Sequence, residues 1–257
     1  MSKTIRLTGF ILLVGLIVGC ASEPSKTTID QADRPGATSA AETNMRLGLN
    51  YLEQGDYATA LEKLNKSLEQ DPTLASTHNT IALLYQQLNE MEKAEEHFKE
   101  AISLAPTYSE AYNNYGVFLC REARYTEAEE NFLKAVENPL YEKQWHAYEN
   151  AGLCAIRASD NIRADEYFRK ALQDNPLSIK SILGLAQINY DEGYYPEAHD
   201  YLQRYRDVAP HSPRSLLLNI QVANKMGDKD AVASYSLYLR ANFPDSEESH
   251  QVKKGQY

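Results

Sequence analysis

The sequence has little of what strands, metal sites and catalytic loops are made from. Alternating Val or Thr runs are scarce, whereas Ala, Glu, Leu, Tyr and Asn are plentiful, which favours helices over strands. No Gly-rich phosphate loop, nucleophile elbow, paired-histidine zinc motif or dinucleotide fingerprint occurs. Six histidines (His78, His97, His146, His199, His211 and His250) are scattered without ligand spacing, and no Cys/His pattern reads as a zinc site. The expectation is a chain with no catalytic residue, no metal and no cofactor, so not an enzyme. No Lys/Arg-rich stripe offsets a formal charge of −10, and loss of Lys3 and Arg6 with a cleaved leader would take it to −12. Nucleic acid is therefore excluded as a partner, because an acidic surface repels a phosphate backbone. A mean hydropathy of −0.53 excludes a polytopic membrane protein.

One apolar run stands apart, from Gly9 to Gly19. Eleven residues cannot span a hydrocarbon core of about 30 Å as a helix, but they suit the middle of a signal peptide, with Lys3 and Arg6 as its positive start. The run ends Ile17-Val18-Gly19-Cys20, which matches the lipobox of bacterial lipoproteins at each position. Residues 1–19 are thus expected to be a signal peptide and Cys20 to carry the lipid. Ala21 stands where an inner-membrane retention signal usually places Asp. By resemblance to sorted lipoproteins, this implies the inner leaflet of the outer membrane, facing the periplasm. Residues 20–40 offer almost nothing to bury and read as a flexible tether reaching roughly 25 Å.

What is abundant is periodicity. Prolines recur at Pro72, Pro106, Pro139, Pro176, Pro210 and Pro244, and small residues at Ala60, Ala94, Ala128, Ala164 and Ala198, with Val232 continuing the series. Gly48, Ala82, Gly116, Gly152 and Ala186 form another series, and Leu64, Phe98, Phe132, Phe168 and Leu202 a fourth. The spacing is 34 residues apart from a two-residue insertion near Asn138-Pro139-Leu140-Tyr141. This resembles the tetratricopeptide repeat, a helix-turn-helix unit of that length. Six repeats are expected, at 41–74, 75–108, 109–142, 145–178, 179–212 and 213–246, followed by a polar tail at 247–257. The fold expected is all-α, a solenoid of about six repeats in a right-handed superhelix. Its sixth repeat is the weakest, because Asn219 and Ile220 replace the Leu-Gly pair, as suits a cap.

Solenoids bind along the concave face lined by the first helix of each repeat. The register assigns to that face Met45, Leu49, Leu52, Asn79, Leu83, Asn113, Val117, Arg121, Glu149, Leu153, Arg157 and Gln187. Its N-terminal third is the most apolar, with Met45, Leu49, Leu52 and Leu83 expected to open on the groove or else to pack against a neighbouring repeat. With Cys20 lipidated, one thiol pair remains. Cys120 and Cys154 fall late in the first helices of repeats three and four, which suits either a disulfide in an oxidising compartment or two buried free thiols.

Three stretches are more specific than a generic repeat. They are Asn113-Asn114-Tyr115-Gly116-Val117-Phe118-Leu119-Cys120, Asn138-Pro139-Leu140-Tyr141 and Asn150-Ala151-Gly152-Leu153-Cys154-Ala155. With the lipobox and six repeats they resemble the type IV pilus biogenesis and stability lipoproteins, the PilF/PilW pilotin family, over most of residues 17–246. The resemblance implies a protein-binding pilotin that brings secretin subunits to the outer membrane and promotes their multimerisation in pilus assembly and twitching motility. It is expected to be monomeric. Alternatives from the residues alone are an adaptor for barrel insertion or peptidoglycan hydrolases, or a solute-binding lipoprotein using the 18 tyrosines.

Overall fold

The structure, a computed structural model, describes residues 39–257. The expected signal peptide, Cys20 and all but the last two residues of the expected tether lie outside the described residues. Twelve helices follow one another in six pairs: α1 (Ser39–Glu53) with α2 (Tyr57–Gln70), α3 (Ala75–Gln87) with α4 (Met91–Leu104), α5 (Ser109–Arg121) with α6 (Tyr125–Val136), α7 (Gln144–Arg157) with α8 (Asn161–Asp174), α9 (Ile179–Asp191) with α10 (Tyr195–Val208), and α11 (Pro213–Met226) with α12 (Lys229–Asn242). A short α13 (Glu247–Lys253) closes the chain. Among the described residues there is no strand. The architecture is an all-α tetratricopeptide-repeat superhelix.

The turn inside each pair is the same device used six times. Gly55, Asn89, Ala123, Ser159, Gly193 and Gly227 all take a positive φ, between 58° and 86°. The next residue's amide then donates back to the carbonyl five residues earlier, as Asp56 does to Tyr51, Arg124 to Leu119 and Asp228 to Ala223, each at 2.9 Å. This bond satisfies a carbonyl that the helix end leaves unpaired. Between pairs, a proline stops the helix. Asp71, Ala105, Asn175 and Ala209, each just before a proline, hold φ between −127° and −148°, extended as the proline ring requires. The insertion alters one such turn: Asn138 accepts from the Leu140 amide at 3.0 Å, and Tyr141 turns inward against Ala135 and Ala147.

The small residues lie where the paired helices touch. Ala60, Ala94, Ala128, Ala164 and Ala198 are all wholly buried, as are Phe98, Phe168 and Leu64 beside them, with Phe132 and Leu202 nearly so. A Cβ on Gly116 would stand 2.7 Å from Phe132 Cε1, and one on Gly152 would stand 2.6 Å from Phe168 Cε1, so the aromatic ring occupies the space the glycine vacates. Burying such a ring contributes about 2–3 kcal/mol.

One boundary differs from the sequence reading. Residues 247–257 are not simply a polar tail, because Glu247–Lys253 form α13, whose Val252 packs on Leu216, Ile220 and Leu239. Ser246 caps it by accepting from the Ser249 amide. The apolar end of the stack needs a cover, and α13 supplies it with a single valine.

Candidate functional site

The backbones of the first helices of successive pairs approach one another (α1 with α3, α3 with α5, α5 with α7, α7 with α9, α9 with α11), whereas the second helices of successive pairs stand further apart and meet only through long side chains such as Tyr167 and Glu129. The stack therefore curves with α1, α3, α5, α7, α9 and α11 on its inner side. The candidate site is that inner face.

Its floor is a chain of buried polar side chains crossing four repeats. Asn79 and Asn113 are 4% and 3% exposed. Asn114 donates to Asn79 Oδ1 at 3.3 Å, Asn113 reaches Asn114 at 3.5 Å, and Asn150 donates to Asn113 Oδ1 at 2.9 Å. The line continues at Glu149, 3% exposed, which accepts from Ser178 Oγ at 2.5 Å and pairs with Lys180 at 3.2 Å. A buried carboxylate is tolerated only when its oxygens are matched in this way. Ser178 also caps α9 by accepting from the Ser181 amide, so one hydroxyl links the carboxylate to a helix start. Asn79, Asn113 and Glu149 are thus structural parts of the floor rather than open contact points.

The apolar residues assigned to the groove divide. Met45 is not open to it: at 5% exposed it packs with Ala41, Ala60, Leu64 and Leu84 in the first core cluster. Met45 stands in the same column as Asn79, Asn113 and Glu149, which are equally buried, so this position of each first helix faces the neighbouring helices rather than the groove. Leu49 is half-buried, Leu52 leans on the same cluster, and Leu83 and Val117 lean on the next. Leu153 does likewise one repeat later, while Gln187 donates to Asp191 at 3.0 Å. Arg121 and Arg157 are exposed at the C-terminal ends of α5 and α7.

Cys120 and Cys154 are bonded to one another, with Cα atoms 5.8 Å apart. The bond ties α5 to α7 one residue before Arg121 and three before Arg157. It also borders a crevice of about 260 Å³ on the other side of α7, lined by Tyr125, Glu129, Phe132, Arg163 and Tyr167. The polar groups there are spent on each other: Tyr167 donates to Glu129 at 2.5 Å, and Arg163 pairs with both Glu129 and Asp160. The same device appears one repeat earlier at Glu95. Burial raises its carboxyl, but hydrogen bonds from Lys99, Arg124 and Tyr115 outweigh that and hold it at about 2. Burial and the bond to Glu95 push the Tyr115 hydroxyl well above the usual phenol range. These groups fasten repeat to repeat. Among the described residues, no three His, Cys, Asp or Glu side chains gather as a metal would require.

Sequence reasoning missed the polar floor, whose signal was present: Asn79 and Asn113 recur 34 residues apart, and Glu149 follows after the 36 of the inserted repeat.

Comparisons with known proteins agree with this geometry. The tetratricopeptide-repeat family profile matches residues 39–107, and a second profile of the same description matches residues 97–130. The chain is 34% identical over 244 residues, 95% of its length, to the type IV pilus assembly protein PilF of Pseudomonas aeruginosa, of which it covers 96%. Among solved structures, the P. aeruginosa PilF structure superposes with a TM-score of 0.77 at 33% identity, over 84% of this chain and 97% of that one. PilW, described as a widely conserved type IV pilus biogenesis factor, gives a TM-score of 0.77 at 31% identity, over 84% and 99%.

Proposed function

The chain belongs to the PilF family of type IV pilus assembly proteins, and we propose that within it this protein is the pilotin of the pilus secretin. In this reading it is a lipoprotein without turnover. Cys20 carries the acyl chains, which anchor it in the inner leaflet of the outer membrane with the repeats in the periplasm. Two or more chains hold stably, since each buried CH₂ contributes roughly 0.8 kcal/mol. The inner face holds secretin subunits, and tethering raises their local concentration where the ring assembles. The observation that carries the reading is likeness to PilF along 95% of the chain together with an inner face whose floor is hydrogen-bonded and whose rim is exposed.

Deleting the gene and running outer-membrane extracts on a denaturing gel tests it. Loss of secretin multimers and of surface pili is the expected result; unchanged multimers overturn the pilotin role. A Cys20→Ala protein should fold but leave the outer-membrane fraction, and normal outer-membrane secretin in that strain would contradict delivery by the lipid.

A further inference from the structure

The basic side chains of this acidic protein are mostly spoken for. Arg46, Arg124, Arg163 and Arg169 each meet a carboxylate, and Arg204, Arg206 and Arg240 each donate to a carbonyl or amide oxygen. Among the described residues, Arg121, Arg157 and Arg214 have no such partner, and all three stand on helices of the inner row, α5, α7 and α11. Arg121 and Arg157 are the last residues of adjacent helices, at one edge of the groove, and the Cys120–Cys154 bond holds those two helix ends together.

Each arginine tops the same column. Residues four apart share a helix face, so α5 presents Asn113, Val117 and Arg121 in order, and α7 presents Glu149, Leu153 and Arg157. From floor to rim each column therefore runs from a buried polar group through a half-buried apolar one to an exposed guanidinium. The two helix C-termini account for one cation each. They do not account for the same order of buried polar group, half-buried apolar side chain and unpaired guanidinium on two neighbouring helices of a chain whose net charge is −10. Guanidinium suits a carboxylate in a bidentate pair.

We propose that Arg121 and Arg157 form a carboxylate-binding rim that captures an extended acidic segment of a partner protein, whose apolar side chains lie against Val117 and Leu153. Geometry fixes the spacing of that segment. The disulfide holds the Cα atoms of Cys120 and Cys154 at these helix ends 5.8 Å apart, and in an extended chain only alternate residues, about 6.6 Å apart, face the same side, so the two carboxylates stand two residues apart. The proposal rests on the inner face being the partner site and names the chemistry of what it takes.

The test uses the full chain in detergent and fluorescence anisotropy with a labelled twelve-residue peptide carrying two glutamates two residues apart among leucines. A second peptide has glutamine at both places. Saturable binding is expected, about tenfold weaker for the glutamine peptide, in keeping with two charge-assisted pairs at a partly solvated rim. The Arg121→Gln, Arg157→Gln protein should lose about tenfold for the glutamate peptide and nothing for the glutamine one. Arg121→Lys with Arg157→Lys keeps the helix-end charge but not the fork, and should fall between. Equal binding of the two peptides, an unchanged affinity in the glutamine variant, or no saturable binding overturns the proposal. Secretin multimers in the variant strain separate the two readings. If gene deletion abolishes multimers and the double-glutamine variant retains them in full, the rim is wrong while the pilotin role stands. If deletion leaves them unchanged, the pilotin role is wrong, and the peptide titration still decides the rim.

Discussion

Gly184 presents its bare Cα to the ring of Phe168: a Cβ there would stand 2.7 Å from Cζ and 2.9 Å from Cδ2. Gly152 meets the same ring from the preceding helix, so Phe168 is gripped between α7 and α9 by two glycines. Gly184→Ala should therefore cost about 1–3 kcal/mol, the range for overpacking a filled core. Urea denaturation measures it, and Phe168→Leu in the same chain should recover part of the loss. Full stability of Gly184→Ala would mean the ring can move aside.

Ala123 holds φ at 58° in the turn between α5 and α6, where Gly55, Gly193 and Gly227 hold the same place in other repeats. A Cβ is strained in that region, whereas glycine is not. Ala123→Gly should raise stability by about 0.5–1 kcal/mol, net of the extra freedom it gives the unfolded chain. A rise in thermal midpoint checks it, and Gly193→Ala should shift the midpoint the other way.

The Cys120–Cys154 bond closes a loop spanning 34 positions. On the chain-entropy account, such a closure stabilises by about 3–4 kcal/mol. Cys120→Ser with Cys154→Ser should lower stability by that amount under oxidising conditions and should match the wild-type protein in excess reductant. A double variant as stable as the oxidised wild type would rule the account out.

Acid should unfold the protein in two stages. Burial lowers the imidazole pKa of His97, with the nearby His78 adding to it, and burial does the same at His146 and His211. His78 Nδ1 lies 3.0 Å from His97 Nδ1, so at least one ring must be neutral to accept. The unfolded chain takes up these protons first, so stability is present above pH 6.5 and is lost as pH falls through the lower folded values. Glu95 is lowered too, from 4.5 to about 2, so its contribution is present above pH 4.5 and disappears only as pH falls toward 2. Thermal midpoints from pH 8 to pH 3 should show both declines. Glu95→Gln should remove the lower one and cost about 1 kcal/mol at neutral pH, after allowing for solvent screening of a carboxylate with a quarter of its surface exposed.

The architecture was legible because tight helix contacts demand small residues and fixed turns demand prolines, so packing left a periodic trace at Ala60, Ala94, Ala128, Ala164 and Ala198. Other features left a fainter one. Gly184 lies off the Gly48–Ala82–Gly116–Gly152–Ala186 series because it answers Phe168 of the previous repeat rather than a residue of its own. Met45 reads as groove by register, yet its whole column, with Asn79, Asn113 and Glu149, is buried between helices. Helix α13 reads as tail because Ser-Glu-Glu-Ser-His is polar and Val252 is the one apolar side chain it puts into the core. Asn79 and Asn113 sat in the right columns, but periodicity cannot tell a buried amide in a hydrogen-bonded line from an amide waiting for a ligand.

The covalent link between α5 and α7 also sets how the molecule answers a pull. Tension applied at the two ends passes from Cys120 to Cys154 through the sulfurs, so residues 121–153 carry none of it. Helices outside that span can peel away in turn, whereas α6 stays slack while the load runs past. Under force the protein is a clasp with two extensible straps, and the two arginines sit on the clasp.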